Sequence, residues 1–159
     1  MSQSILDRFS IKSAYQKLSK LPLGNRIFSH LIGWVVPYTG SISPSVEKVE
    51  KGYARISMPD HRYVRNHLNS VHAAALMNLG EAASGLALNY DLPPNSKAIL
   101  KELKMEYIKK ARGTLHAEGR CDVPDSNARK EYIATADILD ASNTVVAKAT
   151  ATWLVGPKS

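Results

Sequence analysis

The chain has 159 residues, with 21 Lys and Arg against 14 Asp and Glu, a net charge of +7 at neutral pH; that length suits one ordinary domain, able to bury about two thirds of its unfolded surface without disulfide or metal. The single cysteine, Cys121, excludes an internal disulfide, MSQSILDRFS shows no charged region followed by an apolar core and cleavage site, and the longest apolar run, IFSHLIGWVV at 27–36, is too short to cross a bilayer. The expectation is a cytoplasmic protein with no stable membrane insertion, whose positive charge favours a polyanion: nucleic acid, an anionic membrane or a phosphorylated small molecule.

Along residues 4–34, Ile5, Phe9, Leu18, Leu21, Ile27, Leu31 and Trp34 recur at helical spacing, interrupted at Pro22 and Gly24. Two short helices follow, covering part of a core, with a basic amphipathic surface touching lipid as the weaker alternative. From 41 to 58 the pattern shifts to period two, through Val46, Val49, Tyr53, Arg55 and Ser57 around the turn signal EKG at 50–52, and predicts a hairpin. HAAALMNLGEAASGLALNY, 72–90, reads as a helix that is apolar nearly all round. After the loop DLPPNSK at 91–97 come four strand-like runs: AILKELKMEYIKK, TLHAEGRCDV, EYIATADILD and TVVAKATATWLV. Turns at 111–113, 124–128 and 141–143 separate them, which predicts a four-stranded antiparallel meander. The order is α+β, and a helix apolar on most sides is buried most economically by a curved antiparallel sheet wrapped around it, the hot-dog arrangement in outline. Residues 1–38 then form an N-terminal helical segment and 39–159 the α+β domain.

The long helix carries one formal charge in its interior, Glu81. An ionised carboxylate in apolar surroundings loses hydration worth several kcal/mol unless partners replace it, so Glu81 either does chemistry, lies on a wet edge or pairs with a neighbouring lysine. Gly80, Ala82, Ala83, Ser84 and Gly85 flank it, and each mid-helix glycine costs about 1 kcal/mol relative to alanine. Something therefore approaches closely: a second helix, a sheet or a ligand. At the helix start, Ser70 or Asn69 is the expected N-cap, leaving the backbone N–H groups of residues 71–73 free to hold negative charge, as a developing oxyanion requires. Ala73 and Glu81 are separated by eight residues, or roughly 12 Å of helix, so one carbonyl cannot meet both on one helix. A site that uses both requires two subunits with antiparallel helices.

Other constellations are weaker. His67 and His72 follow no metal-binding spacing, Cys121 has no nucleophile motif, His30 and His116 read as structural, and neither a serine elbow nor a phosphate loop is present. The basic residues are not interleaved with aromatics in a nucleic-acid-binding pattern, which argues against nucleic acid as partner.

RNHLNSVHAAALMNLGEAASG, 65–85, resembles the hot-dog thioesterases of the phenylacetyl-CoA, or PaaI-like, type, in which Asn or Gln precedes His-Gly-Gly by six residues and an acidic residue follows the His by nine. Asn66, His72 and Glu81 keep both spacings. EYIKKARGTLHAEG, 106–119, is similar to the strand-turn-strand passage of that family, and the likeness covers about residues 40–155, while the N-terminal helices look like those of an uncharacterised subgroup. The resemblance implies an acyl-CoA thioesterase with no cofactor beyond the coenzyme A of its substrate, working as a homodimer, with pairing into a tetramer as the next level. It implies that the Ala73 N–H and the Asn66 amide hold the carbonyl oxygen, that His72 orients the loop, and that Glu81 of the partner chain attacks the thioester or activates water. Ala73-Ala74 replaces Gly-Gly, adding two methyl groups at the mouth while the N–H remains. Lys97, Lys101, Lys104, Lys109, Lys110 and Arg112 gather along one strand and its turn, with Glu102 and Glu106 as counterweight, and Lys109, Lys110 and Arg112 are the expected phosphate contacts. Solvated edge lysines that discourage sheet aggregation are the competing account. The acyl group is expected between helix and sheet, near Ala74, Leu76 and Met77. The alternative function is a non-catalytic domain that binds acyl-CoA or acyl chains, with Glu81 as an interface hydrogen-bond partner.

Overall fold

The structure, a computed structural model, describes residues 10–158; Ile5 and Phe9 lie outside the described residues. Three helices lead: α1 (Ile11–Leu18), α2 (Gly24–Val35) and the single turn α3 (Pro37–Gly40). Ser10 caps α1 by accepting the Ser13 N–H. The sharp return from α1 to α2 needs the glycine that starts α2, because a Cβ on Gly24 would lie 1.7 Å from the Leu18 carbonyl oxygen. Phe28 and Ile32 of α2 enter the main hydrophobic cluster, and Ile11, Tyr15 and Leu18 of α1 pack against it. Tyr15 meets the Phe28 ring edge-on at 5.1 Å between centroids. The opposite side of α2 leaves Ile27 and Trp34 exposed.

The expected hairpin is β1 (Ser45–Glu50) and β2 (Tyr53–Met58), turned at Gly52 with φ +73°. A bulge between Val46 and Lys48 explains why Val46 and Val49, three residues apart, are both buried. The long helix is α4 (Ala73–Asn89), followed by β3 (Ser96–Tyr107), β4 (Leu115–Cys121), β5 (Lys130–Leu139) and β6 (Val145–Pro157). Together the strands make a six-stranded antiparallel sheet in the order β1-β2-β4-β5-β6-β3, and the fold is the α+β hot-dog arrangement around α4.

One expectation is corrected: β3 is not the first strand of a meander. Only β4-β5-β6 run as one, while β3 pairs with β6 at the far edge and β2 pairs with β4. The reason lies in residues 108–114, which do not form a hairpin turn. They are hydrogen-bonded to the segment before α4, the Ala111 carbonyl accepting from both Val71 N–H and Ser70 Oγ, each at 2.9 Å, so the chain is led away from β3 before β4 begins.

The sheet approaches α4 closely because its floor is made of small residues, among them Ala117, Ala136, Ala147 and Ala149, all buried. A Cβ on Gly119 would come within 2.2 Å of the Ala83 carbonyl oxygen, and one on Gly80 within 2.7 Å of the Ala149 Cβ. The sheet is therefore what approaches at Gly80. Leu79, Ala83, Ala87 and Leu88 are fully buried, so the helix–sheet interface is closely packed at these positions. Among the described residues, no helix is long and apolar enough to cross a membrane.

Candidate active site

The N-cap of α4 is His72, not Ser70 or Asn69. Asn69 has φ +53°, a left-handed backbone unsuited to an N-cap, and the Ser70 hydroxyl donates to Ala111 instead. His72 is extended at φ −68°, ψ 142°, and its Nδ1 accepts the Ala74 N–H at 3.0 Å. The imidazole thus caps with Nδ1 unprotonated, its ring proton on Nε2. Nor are all three expected N–H groups free: Val71 donates to Ala111 and His72 to Val64, at 2.9 and 2.7 Å. Ala75 and Leu76 donate to the His72 carbonyl. Of the residues opening the helix, Ala73 alone has an N–H without an acceptor among the described residues, and it is exposed.

Asn66 lies in the loop before the helix. Its Oδ1 accepts from Leu68 N–H at 3.0 Å and Ser70 N–H at 3.2 Å, so the side chain shapes the loop through its oxygen and has its amide NH₂ uncommitted. The loop is held from outside by residues that sequence reasoning did not single out. Asp60 accepts from Arg65 Nε at 2.6 Å and from the Gly113 N–H at 2.8 Å, joining the two loops, and the Arg65 guanidinium beside it holds its carboxyl below the usual range. Tyr107, at the end of β3, donates its hydroxyl to the Ala73 carbonyl at 3.2 Å. No motif marked either one; both act through contacts made by the fold.

The expected phosphate contacts divide. Arg112 Nε donates to the Asn69 carbonyl at 3.0 Å, which sets the guanidinium beside the α4 start. Lys110 is exposed on the same turn, whereas Lys109 is 3.7 Å from Asp140. Farther back on β3, Lys101 pairs with Glu131. Arg112, with the exposed Lys110 on its turn, is therefore joined to the loop before α4, as is Arg65, which bridges to Val71, and the strand lysines are a separate group.

Among the described residues, cavities flank α4, and two of them bear on the site. One, of about 280 Å³ at its start, is bounded by His72, Ala74, Asn78, Tyr38, Ser41 and Tyr63; Asn78 is buried and donates Nδ2 to the Tyr38 carbonyl at 2.9 Å. Met77 is 38% exposed and borders neither cavity. The other, of about 270 Å³, lies between the middle of α4 and the N-terminal helices, with Glu81 in its wall. Its remaining lining is largely apolar, including Ile32, Val35, Val36, Leu86 and Trp153. Glu81 is half-buried, its carboxylate has no hydrogen-bond or ionic partner among the described residues, and burial pushes its pKa upward. The second glycine of the helix, Gly85, borders this cavity, and a Cβ there would press to 3.2 Å from the Trp153 ring.

Cys121 is half-buried, and burial raises its thiol to about 11, which leaves it a poor nucleophile. His116 lies with its Nδ1 3.0 Å from Glu47, beside the Glu47–Arg55–Glu118 ion pairs. No cluster of three or more His, Cys, Asp or Glu suited to a metal occurs among the described residues.

The family described as Domain of unknown function (DUF4442) matches residues 24–155. Among solved structures, the chain is similar to the genomics crystal structure APC5556, with 27% identity, a TM-score of 0.79 and coverage of 92% of this chain and 98% of that one. It is also similar to PA5026 from Pseudomonas aeruginosa, described as a protein of unknown function and probable thioesterase (23% identity, TM-score 0.73, 86% and 97% covered). A third, smu.793 from Streptococcus mutans UA159, was crystallised bound to acetyl CoA (23% identity, TM-score 0.60, 72% and 90% covered). No curated protein matches the sequence.

Proposed function

The chain belongs to the family described as Domain of unknown function (DUF4442), built on the hot-dog fold, and from that premise we propose that it is a thioesterase that hydrolyses an acyl-CoA at a site shared by two copies of the chain. The observation that carries this reading is Glu81: a half-buried carboxylate without a partner among the described residues, in the wall of an apolar cavity. Packing alone does not favour such a group. The acyclic logic of the reaction suits the rest of the geometry, since a thioester already has a good leaving group and needs chiefly a placed oxyanion donor and a base or nucleophile. The Ala73 N–H, without an acceptor at the positive end of a 17-residue helix, is the donor, assisted by the Asn66 amide. His72 holds the entry of the helix, and Lys110 and Arg112 beside it receive coenzyme A phosphates.

Because Ala73 and Glu81 are about 12 Å apart along one helix, the two chains pack with their α4 helices antiparallel. The N–H of one then faces the carboxylate of the other. Glu81 takes a proton from water as the oxygen bonds to the carbonyl carbon, or bonds there itself before water releases the acid. In either course the C–S bond breaks, the sulfur leaves as thiolate and is protonated, and the products are the carboxylic acid and coenzyme A. The likeness in fold to a probable thioesterase and to a protein bound to acetyl CoA supports the substrate class. A cytoplasmic homodimer, pairing into a tetramer, is the setting this reading assigns. Hydrolysis of an acyl-CoA panel by wild type and Glu81→Gln tests it: loss of turnover in the variant is expected, and equal rates remove Glu81 from the mechanism. The exposed methyl groups of Ala73 and Ala74 favour a second reading, a domain that binds acyl-CoA without turnover; tight binding with no hydrolysis over the whole panel selects it.

A further inference from the structure

The cavity beside Glu81 has a wall that a bare sheet-and-helix core does not supply. α1 contributes Ile11, α2 Ile32 and Val35, the junction between α2 and α3 Val36, and α3 Thr39, all opposite Glu81, Ala82 and Gly85 of α4. Among the described residues no lysine or arginine lines it, so these residues have nothing to offer the phosphates of coenzyme A, whereas the turn carrying Lys110 and Arg112 has. With the thioester carbonyl at Glu81, the acyl carbons begin within a bond or two of that carboxylate and must occupy the space adjoining it. The helix–sheet side is closed, with Leu79 and Ala83 fully buried and Gly80 against Ala149. The N-terminal helices border the side that is open.

We propose that this cavity receives the apolar end of the acyl group and that the N-terminal helices, through Val35 above all, set the acyl size the protein accepts, selecting compact groups over long straight chains. The inference rests on the reading of Glu81 as the group that acts on the thioester. Size follows from volume: an apolar cavity of about 150 Å³ holds one benzene molecule, and this one, at about 270 Å³, is less than twice that. A single ring with a short substituent, or a short chain of similar bulk, fills it. Gly85 and Trp153 belong to the same wall. Without a side chain at 85 the benzo edge of the indole, Cζ2 and Cη2, comes close to the helix, and the indole N–H is buried with no acceptor among the described residues.

The test compares acetyl-, hexanoyl-, benzoyl- and palmitoyl-CoA in wild type, Val35→Phe, which fills the cavity, and Val35→Ala, which enlarges it without threat to folding. The readout is the ratio of kcat/KM for each acyl group to that for acetyl-CoA, joined by calorimetric binding of hexanoyl-CoA against free coenzyme A. In wild type, hexanoyl and benzoyl exceed palmitoyl; the hexanoyl-to-acetyl ratio falls at least tenfold in Val35→Phe, and the optimum moves to larger groups in Val35→Ala. Turnover with unchanged ratios in both variants, or a wild-type preference for palmitoyl, overturns the cavity assignment and leaves the thioesterase reading standing. Absence of turnover, with a binding advantage of hexanoyl-CoA over coenzyme A that Val35→Phe abolishes, sinks the thioesterase reading and supports the cavity. Absence of both turnover and that advantage overturns the cavity as well.

Discussion

Residues 60–74 and the middle of α4 are built in opposite ways. In the first region the loop is tied at nearly every turn: Asp60 to Arg65 and Gly113, Asn66 to Leu68 and Ser70, Ser70 to Ala111, His72 to Ala74. In the second, two turns along the same helix, Glu81 has no partner among the described residues and borders an apolar cavity. The tied region fixes one backbone donor, the Ala73 N–H, by satisfying the groups around it. The untied region keeps an acceptor in a state that folding alone does not favour. A donor that must not move is best held by a network, whereas a base that must react is best left without hydrogen bonds that would stabilise its ground state.

Substitutions that exchange the character of the two regions separate them. The largest effect is expected from Glu81→Gln, which keeps size and removes the charge: kcat falls by about 10³-fold, within the usual span for a general base. On the proposed mechanism the wild-type rate falls as pH drops through a pKa lying above the ordinary glutamate range, since that mechanism uses the ionised form and burial raises the pKa; the residual rate of the variant lacks that limb. Next comes Ala73→Pro. Ala73 is the first residue of α4, where proline is well tolerated, its N–H has no bond to lose, and His72 already has the extended backbone that precedes a proline. The fold should persist, by circular dichroism and Tm, while kcat/KM drops by about 10²-fold, the worth of one oxyanion donor.

Asp60→Ala probes the tied region without touching Ala73 or Glu81. Losing a charge-assisted hydrogen bond and the bond from Gly113 costs about 2 kcal/mol, or about 4–8 °C in Tm, and the pH limb assigned to Glu81 stays where it was. The smallest effect has the opposite sign. A carboxylate whose pKa is raised in the folded state favours folding fully below the unfolded pKa, and that contribution is lost as pH rises through the folded value. Glu81→Gln is therefore expected to melt no lower than wild type at neutral pH, any gain vanishing below the ordinary glutamate range. A lower Tm at neutral pH would show that Glu81 has a stabilising partner.

Much of this was legible in the sequence because it follows from local patterns. The helix around Glu81, the hairpin at Gly52 and the spacing of Asn66, His72 and Glu81 are properties of short segments. The cap was misplaced at Ser70 or Asn69 because cap preferences rank those residue types above histidine, and only the fold reveals that Ser70 is engaged by Ala111 and that Asn69 is left-handed. The position of β3 was missed because adjacency in sequence favours a meander, whereas residues 108–114 are bound to a loop some 40 residues earlier. Gly80 and Gly85 looked equivalent in the sequence. One makes room for Ala149 of the sheet and the other for the Trp153 ring beside the cavity, a distinction that depends on which long-range neighbour each helical position meets.

The central claim is that one site draws its oxyanion donor and its carboxylate from different chains, and mixed dimers test it most directly. Chains carrying Ala73→Pro and chains carrying Glu81→Gln, each strongly impaired alone, are unfolded together, refolded and assayed on an acyl-CoA that wild type hydrolyses. A shared site predicts recovery to about a quarter of wild-type activity, because half of the dimers are mixed and each contains one intact pair. Recovery no greater than the sum of the two separate variants, with mixed dimers verified by native mass spectrometry, would contradict the account.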